Sequence, residues 1–390
     1  MMLDPRSNDE RQEAINTLSA VSVGMWLSVL GTFGILFLPL FVGGIISDLG
    51  FSDQQGGYIA AAEMAGVAIA SGSGVLWVRK VNWRVASAVS LVLLIATNYF
   101  SVHIDSFAPM FVVRLMEGLA SGVLLAIGMA CLSDHKEADR IFGYWVAGQM
   151  TMSVIGYLVL PTVRESWGLD GLFIALALLG LLSLLFSYLY LPARGVNRVE
   201  AVSKGKNRLM FNAFALVGAL LFFMAQGGIW AFLEKIGASA DLNVPQIGYA
   251  LALSSFFGIA GGFARNWIAQ ALGQFSPFVV VLIGEFLMLV IFLGDFNYPF
   301  FMVAVCMLQF FWAMGMASFL GSFNIIDKTG GLVLLLLATA KVGYSLGPAI
   351  MGMLVQSGNN YDYAFYSGGA FALFGIVIVM GLIKTAERES

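Results

Sequence analysis

Long apolar stretches alternate along the chain with short polar segments. A helix needs about 20 apolar residues to cross a membrane, and the long stretches reach that length. Lipid offers no partner to exposed backbone N–H and C=O groups, so stretches of this kind form α-helices. The pattern therefore predicts an all-α membrane protein with twelve transmembrane helices. The spans are expected at residues 18–46, 57–78, 84–104, 107–131, 142–163, 170–192, 210–236, 245–271, 276–297, 299–323, 331–355 and 363–384.

Similar short motifs recur in the two halves of the chain. Their order is the same in both halves, and each pair is separated by about 190 residues. Such repeats indicate two parallel six-helix halves, as in transporters whose halves are related by an axis along the membrane normal. We expect an N-terminal half at 1–192, a cytoplasmic linker at 193–209 and a C-terminal half at 210–390. The motif pairs are Gln55–Tyr58 with Gln246–Tyr249, Asp139–Gly143 with Asp327–Gly331, and Gly156–Pro161 with Gly343–Pro348.

The composition agrees with a membrane protein. Hydrophobic residues make up 59% of the 390 positions and charged residues 11%, against roughly 25% charged residues in soluble domains. The net charge is −3, and the basic residues are scattered among the loops. A nucleic-acid-binding protein would concentrate them on one face. The chain is therefore expected to contact membrane lipids and not nucleic acid.

The distribution of Lys and Arg predicts the orientation. Loops on the cytoplasmic side of a membrane carry an excess of these residues. Placing both termini in the cytoplasm leaves only Arg164 and Lys235 on the opposite side. We expect a multi-pass plasma-membrane protein, and the short loops favour a bacterial inner membrane. The cytoplasmic set is Arg6, Arg11, Arg79, Lys80, Arg84, Lys136, Arg140, Arg194, Arg198, Lys204, Lys206, Arg208, Arg265, Lys328, Lys384 and Arg388.

Two local motifs resemble those of the major facilitator superfamily. Arg114–Gly122 in span 4 resembles the family's Arg-x-x-x-Gly-x-x-x-Gly pattern, and Gly74–Arg84 resembles its basic loop, with Val78 at the usual acidic position. The resemblance implies secondary transport by two six-helix halves around a cavity lined by spans 1, 2, 4, 5, 7, 8, 10 and 11. The stretch Gly148–Pro161 departs from the family's antiporter signature, which weakens an assignment to proton-driven drug efflux.

Two cations lie within predicted spans of the two halves, Arg114 in span 4 and Lys341 in span 11. A charge at the bilayer centre costs at least about 2.5–3.5 kcal/mol and usually marks a substrate or ion pathway. Two cations converging on a cavity would attract an organic anion, since Arg offers a planar fork and Lys a point charge. The resemblance favours the same function, because some organic-anion members use a lysine in span 11 with an arginine from another cavity helix. Alternatively, Arg114 pairs with Glu117 one turn away.

Other residues on the predicted cavity helices are candidates for the substrate pocket. Tyr344 is three residues after Lys341 and shares its helix face. The alternative for each of these polar or aromatic residues is hydrogen bonding between helices, which is common in membranes. The remaining candidates are Gln149, Gln226, Trp230 and Gln309.

Glu63 and Glu117 are candidates for proton coupling. Glu63 lies in span 2 at a depth similar to that of Arg114. A buried carboxyl can bind and release a proton as its surroundings change. The alternative is that either residue is the permanent counter-ion of Arg114. Glu285 lies near the centre of span 9, away from the predicted cavity, and is expected to be protonated or paired with a neighbouring helix.

These observations predict a proton-coupled secondary active transporter that moves a small or amphipathic organic anion by alternating access. Na⁺ is the alternative coupling ion, and the chain is expected to act as a monomer. Two other functions stay open: export of hydrophobic drugs or lysolipids, and a membrane receptor that does not transport. The sequence contains no nucleotide-binding loop or nucleophile triad, so we expect neither an enzyme nor a bound cofactor or metal.

Overall fold

The computed structural model describes residues 7–196, 209–294, 296–326, 331–358 and 361–389. The regular secondary structure in these ranges consists of α-helices, without a strand. The predicted all-α fold is therefore confirmed. Residues 327–330 of the predicted motif Asp327–Gly331 and most of the predicted linker at 193–209 lie outside the described residues. So do six of the cations used to predict orientation, and the orientation stays a prediction. These six are Arg6, Arg198, Lys204, Lys206, Arg208 and Lys328.

The helices of residues 7–196 follow the predicted spans, with a further helix before span 1, a separate short helix at the end of span 2 and a division of span 1. Span 1 is divided into three short helices, because the backbone at Thr32 and at Phe37 leaves the helical region (both φ −107°). Spans 5 and 6 follow each other directly as two helical segments that meet at Gly168, where the backbone is not helical and the φ of 62° favours glycine. The helices are α1 (Asn8–Ile15), α2 (Leu18–Leu30), α3 (Phe33–Leu36), α4 (Leu38–Ser47), α5 (Asp53–Gly72), α6 (Gly74–Trp77), α7 (Trp83–Ser101), α8 (Phe107–Ser133) and α9 (Ala138–Tyr190).

The helices after residue 208 correspond one to one with predicted spans 7 to 12. Asn243 caps the start of the second of them, since its side chain accepts a hydrogen bond from the Gln246 N–H. Pro348 lies inside the fifth. The helices are α10 (Leu209–Ser239), α11 (Val244–Leu272), α12 (Ser276–Leu293), α13 (Tyr298–Ile326), α14 (Gly331–Gly358) and α15 (Asp362–Glu389).

Among the described residues, nine helices are long and apolar enough to cross a membrane, or ten if the bent pair α1 and α2 counts as one span. The predicted number of twelve is therefore not reproduced by this criterion. The breaks in span 1 leave helices that are too short, the 51-residue segment Arg140–Tyr190 counts once, and span 12 contributes only the shorter apolar helix Phe365–Gly381. That segment has more than twice the roughly 20 residues that one crossing needs.

The chain divides into two compact units. Unit 1 contains Met1–Phe41, Ala62–Ser153 and Val163–Ala201, and unit 2 contains Val42–Ala61, Val154–Thr162 and Val202–Ser390. Unit 2 thus includes the second part of span 1, the first part of span 2 and a short part of span 5. The predicted domain boundaries, which divide the chain into two consecutive halves, stay a prediction.

Unit 1 is held together by close packing of α8 against α2, α5 and α7. Glycines permit the closest approaches, because a Cβ atom would collide with the neighbouring backbone. At Gly128 it would lie 2.6 Å from the Gly24 carbonyl oxygen on α2. At Gly66 it would lie 2.4 Å from the Leu115 carbonyl oxygen on α8.

An ion pair joins the basic loop Gly74–Arg84 to the end of α8 in unit 1. Arg79 contacts the carboxylate of Asp134, the residue that ends α8. The same carboxylate accepts a hydrogen bond of 3.0 Å from the backbone N–H of Val196. The backbone N–H of Trp83 also donates to the Ala193 carbonyl oxygen at 2.8 Å. The start of the predicted linker is thereby fixed to unit 1.

Unit 2 has an aromatic core between α10, α12, α13, α14 and α15. Its segments from the first half of the sequence pack on α11 and α14. A Cβ atom at Gly57 of α5 would lie 2.3 Å from the Pro348 carbonyl oxygen, and one at Gly248 of α11 would lie 2.4 Å from Pro161 Cγ of α9. Both glycines belong to the repeated motif that opens spans 2 and 8. The core residues include Phe222, Phe223, Phe278, Phe319 and Phe323.

Candidate substrate and proton sites

Arg114 lies on α8 in the interior of unit 1, where it is 1% exposed. Its guanidinium donates to Asn98 Oδ1 from both terminal nitrogens at 3.3 Å, and to Ser101 Oγ at 2.9 Å. Its Cζ atom lies 4.8 Å from the ring centroid of Phe173 on α9, which gives a cation–π contact. Arg114 is therefore held by α7 and α9 as well as by acidic groups.

Two buried carboxyl groups accompany this one cation. Glu63 Oε2 on α5 lies 3.9 Å from Arg114 Nη1. Glu117 Oε1 accepts a hydrogen bond of 2.8 Å from Ser121 Oγ, and its Oε2 accepts none from the described N–H and O–H groups. The carboxyl groups of Glu63 and Glu117 are close enough to influence each other electrostatically. We call these two residues the acid pair.

Close helix packing brings the acid pair together. A Cβ atom at Gly118 of α8 would lie 2.0 Å from the Glu63 carbonyl oxygen, so α5 touches α8 at this point. A Cβ atom at Gly34 would lie 1.9 Å from Glu63 Oε1. The Glu63 carboxyl therefore lies against α3, the short helix between the two breaks in span 1. Irregular backbone inside a membrane is typical of places where a transporter binds its ion or substrate.

We expect Gly118→Ala to lower the unfolding free energy by about 1–3 kcal/mol, the usual effect of overpacking. The added methyl group forces α5 away from α8 and separates the acid pair. Thermal unfolding in detergent measures the change. Gly148→Ala on α9 is the control, because its Cβ atom meets nothing within 4 Å. Equal melting temperatures for the two variants would contradict the close contact of α5 with α8.

The structure bears differently on the two roles predicted for Arg114. Arg114 forms an ion pair with Glu63 on another helix, whereas the alternative named Glu117, and that pairing stays a prediction. The substrate-binding role, shared with Lys341, stays a prediction. Sequence analysis missed Asn98, Ser101 and Phe173. Asn98 and Ser101 are polar residues three apart on a mostly apolar helix, which is a signal that could have indicated a shared buried partner.

Lys341 and Tyr344 lie one turn apart on α14 in unit 2, and both are half-buried. The Tyr344 hydroxyl accepts a hydrogen bond from Trp312 Nε1 on α13. Ser345, one turn after Lys341, donates to the Ala61 carbonyl oxygen of α5 at 2.9 Å. Lys341 thus lies one turn before the point where Ser345 joins α14 to α5.

Gln226 and Glu285 form a buried pair in unit 2, where they are 3% and 4% exposed. Gln226 Nε2 on α10 donates to Glu285 Oε1 on α12 at 2.6 Å. One amide hydrogen of Gln226 is therefore already used inside the unit. Its predicted role in substrate binding stays a prediction.

The other three candidates are half-buried and lie on separate helices. Gln149 Nε2 on α9 donates to Thr32 Oγ1 at 3.1 Å, beside the first break in span 1. The Trp230 ring on α10 packs edge-on against Tyr157, with 6.3 Å between centroids. Gln309 lies on α13. Among the described residues, no group of three or more His, Cys, Asp or Glu side chains could hold a metal ion.

The comparison with protein families identifies the class of this protein. The sequence matches the model of the Major Facilitator Superfamily over residues 21–326, which is more than half of the chain. The chain belongs to the Major Facilitator Superfamily. It is therefore a multi-pass membrane transporter of small molecules, as the sequence predicted. A search of curated proteins gives no match.

Solved structures of Major Facilitator Superfamily transporters share the fold. A mutant of the nucleoside transporter NupG aligns with a TM-score of 0.76 at 12% identity, covering 94% of this chain and 98% of that one. A bacterial homologue of the human lysosomal transporter Spinster, inward-facing and occupied, aligns with a TM-score of 0.72 at 14% identity and covers 98% of both chains. At sequence identities this low, the structural similarity shows a shared fold and does not identify the substrate.

Proposed function

We propose that this transporter couples the movement of a small or amphipathic organic anion to protons. The observation that carries the proposal is the acid pair, in which two buried carboxyl groups share one arginine. Alternating access between the two predicted six-helix halves would carry both species across the membrane.

The charge balance of the acid pair explains why a proton belongs there. With both carboxyls ionised, Arg114 leaves a net charge of −1 in a buried site, and an uncompensated buried charge is costly. One proton makes the site neutral and gives the two carboxyl groups a hydrogen bond with each other. Because the groups interact, the proton belongs to the pair and not to either residue alone.

The position of the acid pair links that proton to movement of the helices. Glu63 lies on α5 and Glu117 on α8, so the shared hydrogen bond exists only while the two helices are in contact. Loss of the proton replaces this bond with repulsion between like charges. Proton binding therefore favours one arrangement of α5 and α8, and proton release favours another.

Lys341 supports an anion as the substrate. It is the cation that the sequence predicted in span 11, within unit 2. Its side chain is half-buried, so part of it is accessible. Arg114, in contrast, is only 1% exposed. We therefore assign the main electrostatic contact with the substrate to Lys341.

Proteoliposomes with an internal pH dye test the proposal. Adding a transported carboxylate should change the internal pH, whereas neutral drugs, lysolipids and nucleosides should not. A pH response to hydrophobic cations or lysolipids would favour the exporter. Tight binding of a ligand without flux of ligand or protons would favour the receptor. Either result would overturn anion transport.

We expect Lys341→Gln to weaken binding of the anion about 10- to 100-fold, the usual value of a hydrogen bond to a charged group. Gln removes the charge and keeps much of the side-chain volume. Lys235→Gln is the control, because Lys235 donates to Ser47 at 3.2 Å near the end of α10. Calorimetry on purified protein gives the dissociation constants. An unchanged constant for Lys341→Gln would remove Lys341 from the site.

A further inference from the structure

The hydrogen bond from Trp312 to Tyr344 restricts the direction in which the Tyr344 hydroxyl can donate. The Trp312 indole N–H donates to the Tyr344 phenol oxygen. The Tyr344 ring also packs against Phe223 on α10, with 5.5 Å between centroids. A Cβ atom at Gly227 would lie 3.0 Å from Tyr344 Cδ1, so α10 runs close beside the ring. Two helices therefore hold this tyrosine in place.

The chemistry of a phenol decides what the Tyr344 hydroxyl can do next. It has one hydrogen to donate and two lone pairs that accept. Because the Trp312 N–H occupies a lone pair, the hydroxyl hydrogen points away from the indole. In the part of the chain that the structure describes, no acceptor receives this hydrogen. This half-buried hydroxyl therefore has a hydrogen to donate, and a bound ligand could supply the acceptor.

Lys341 precedes Tyr344 by three residues, so the two side chains lie on the same face of α14. An ammonium group and a directed O–H together match the two oxygens of a carboxylate. A neutral amide of the same shape matches them poorly. It lacks the charge for Lys341, and its NH₂ group would meet a donor where the carboxylate presents an acceptor.

We propose that Lys341 and Tyr344 together bind the carboxylate of the transported anion, and that Trp312 is a positioning residue that directs the Tyr344 hydroxyl toward it. This inference rests on the anion transport proposed above. It names a carboxylate as the chemical class of the substrate, and it gives the site a means to reject neutral analogues.

Matched pairs of carboxylates and amides test this inference on the full-length protein in detergent. Benzoate, indole-3-acetate and decanoate are each compared with the corresponding amide. The readout is the ratio of dissociation constants within a pair, for whichever pair the wild-type protein distinguishes best. A general loss of packing changes both constants and leaves the ratio intact.

We expect Tyr344→Phe to reduce the ratio about tenfold, the usual effect of losing a hydrogen bond to a charged group. Trp312→Phe keeps the ring and removes the N–H, and it should reduce the ratio by a similar factor. The double variant should lose no more than Tyr344→Phe alone, because the two residues act as a unit. Trp26→Phe is the matched control, since its indole donates to Ser183 Oγ in unit 1 at 2.6 Å.

The outcomes separate this inference from the function on which it rests. A ratio that stays at the wild-type value in both Tyr344→Phe and Trp312→Phe would overturn the inference and leave anion transport standing. Loss of the ratio in Tyr344→Phe but not in Trp312→Phe would overturn the positioning role. If the wild-type protein prefers no carboxylate to its amide, both the anion assignment and this inference are overturned.

Discussion

Replacing Arg114 with alanine is expected to lower the unfolding free energy by about 3–5 kcal/mol, the usual effect of removing one partner from a buried ionic group. The variant leaves the acid pair buried without its cation. It also leaves Asn98 Oδ1 and Ser101 Oγ without the donors that they have now. Denaturant unfolding in detergent micelles measures the loss.

A compensating variant separates ion pairing from general packing. Arg114→Met combined with Glu63→Gln and Glu117→Gln removes every charge at once, so most of the stability should return. Arg140→Ala is the control, because it removes a guanidinium from an exposed ion pair. Arg140 Nη1 lies 3.3 Å from Glu137 Oε2, and both side chains are largely exposed. It should change stability little. Equal stability of Arg114→Ala and wild type would contradict the buried network.

Replacing Glu63 with glutamine is expected to abolish proton-linked accumulation of the anion while leaving its binding intact. Gln keeps the shape of the side chain and cannot bind or release a proton, which is the step that coupling needs. Exchange of labelled for unlabelled anion at equal concentrations should continue, because exchange requires no net proton movement. Accumulation driven by a pH gradient and exchange at zero gradient are the two measurements.

Glu165→Gln is the matched control for Glu63→Gln. Glu165 is an exposed glutamate on α9, and its replacement should leave both accumulation and exchange unchanged. Full accumulation by Glu63→Gln would move the coupling role to Glu117 or Glu285. Loss of exchange together with accumulation would instead indicate that Glu63 is needed for the movement itself.

The fold was largely predictable because membrane spans carry a strong local signal. Length and hydrophobicity predicted where the helices are, and the repeated motifs predicted two related halves. Local pattern did not reveal the breaks at Thr32 and Phe37, because the surrounding residues are as apolar as those of an unbroken span. It did place the end of span 5 and the start of span 6 on either side of Gly168, where the backbone is not helical.

The site was predictable only in its charged members. Arg114, Glu63 and Glu117 stand out because ionisable residues are rare in membrane spans. Their neighbours depend on which helix faces touch, and that information is long-range. The sequence could not show that Gln226 of α10 meets Glu285 of α12, or that Trp312 donates to Tyr344, because polar side chains have several possible partners in a helical bundle.

Counting protons and anions together in the same proteoliposomes tests the central claim most directly. A labelled carboxylate reports substrate entry and the internal dye reports proton entry, with the membrane potential held at zero. The account predicts that protons move with the anion in the wild-type protein, and that Glu63→Gln combined with Glu117→Gln exchanges the anion without moving protons. Concentrative uptake with no accompanying proton movement in the wild-type protein would contradict it.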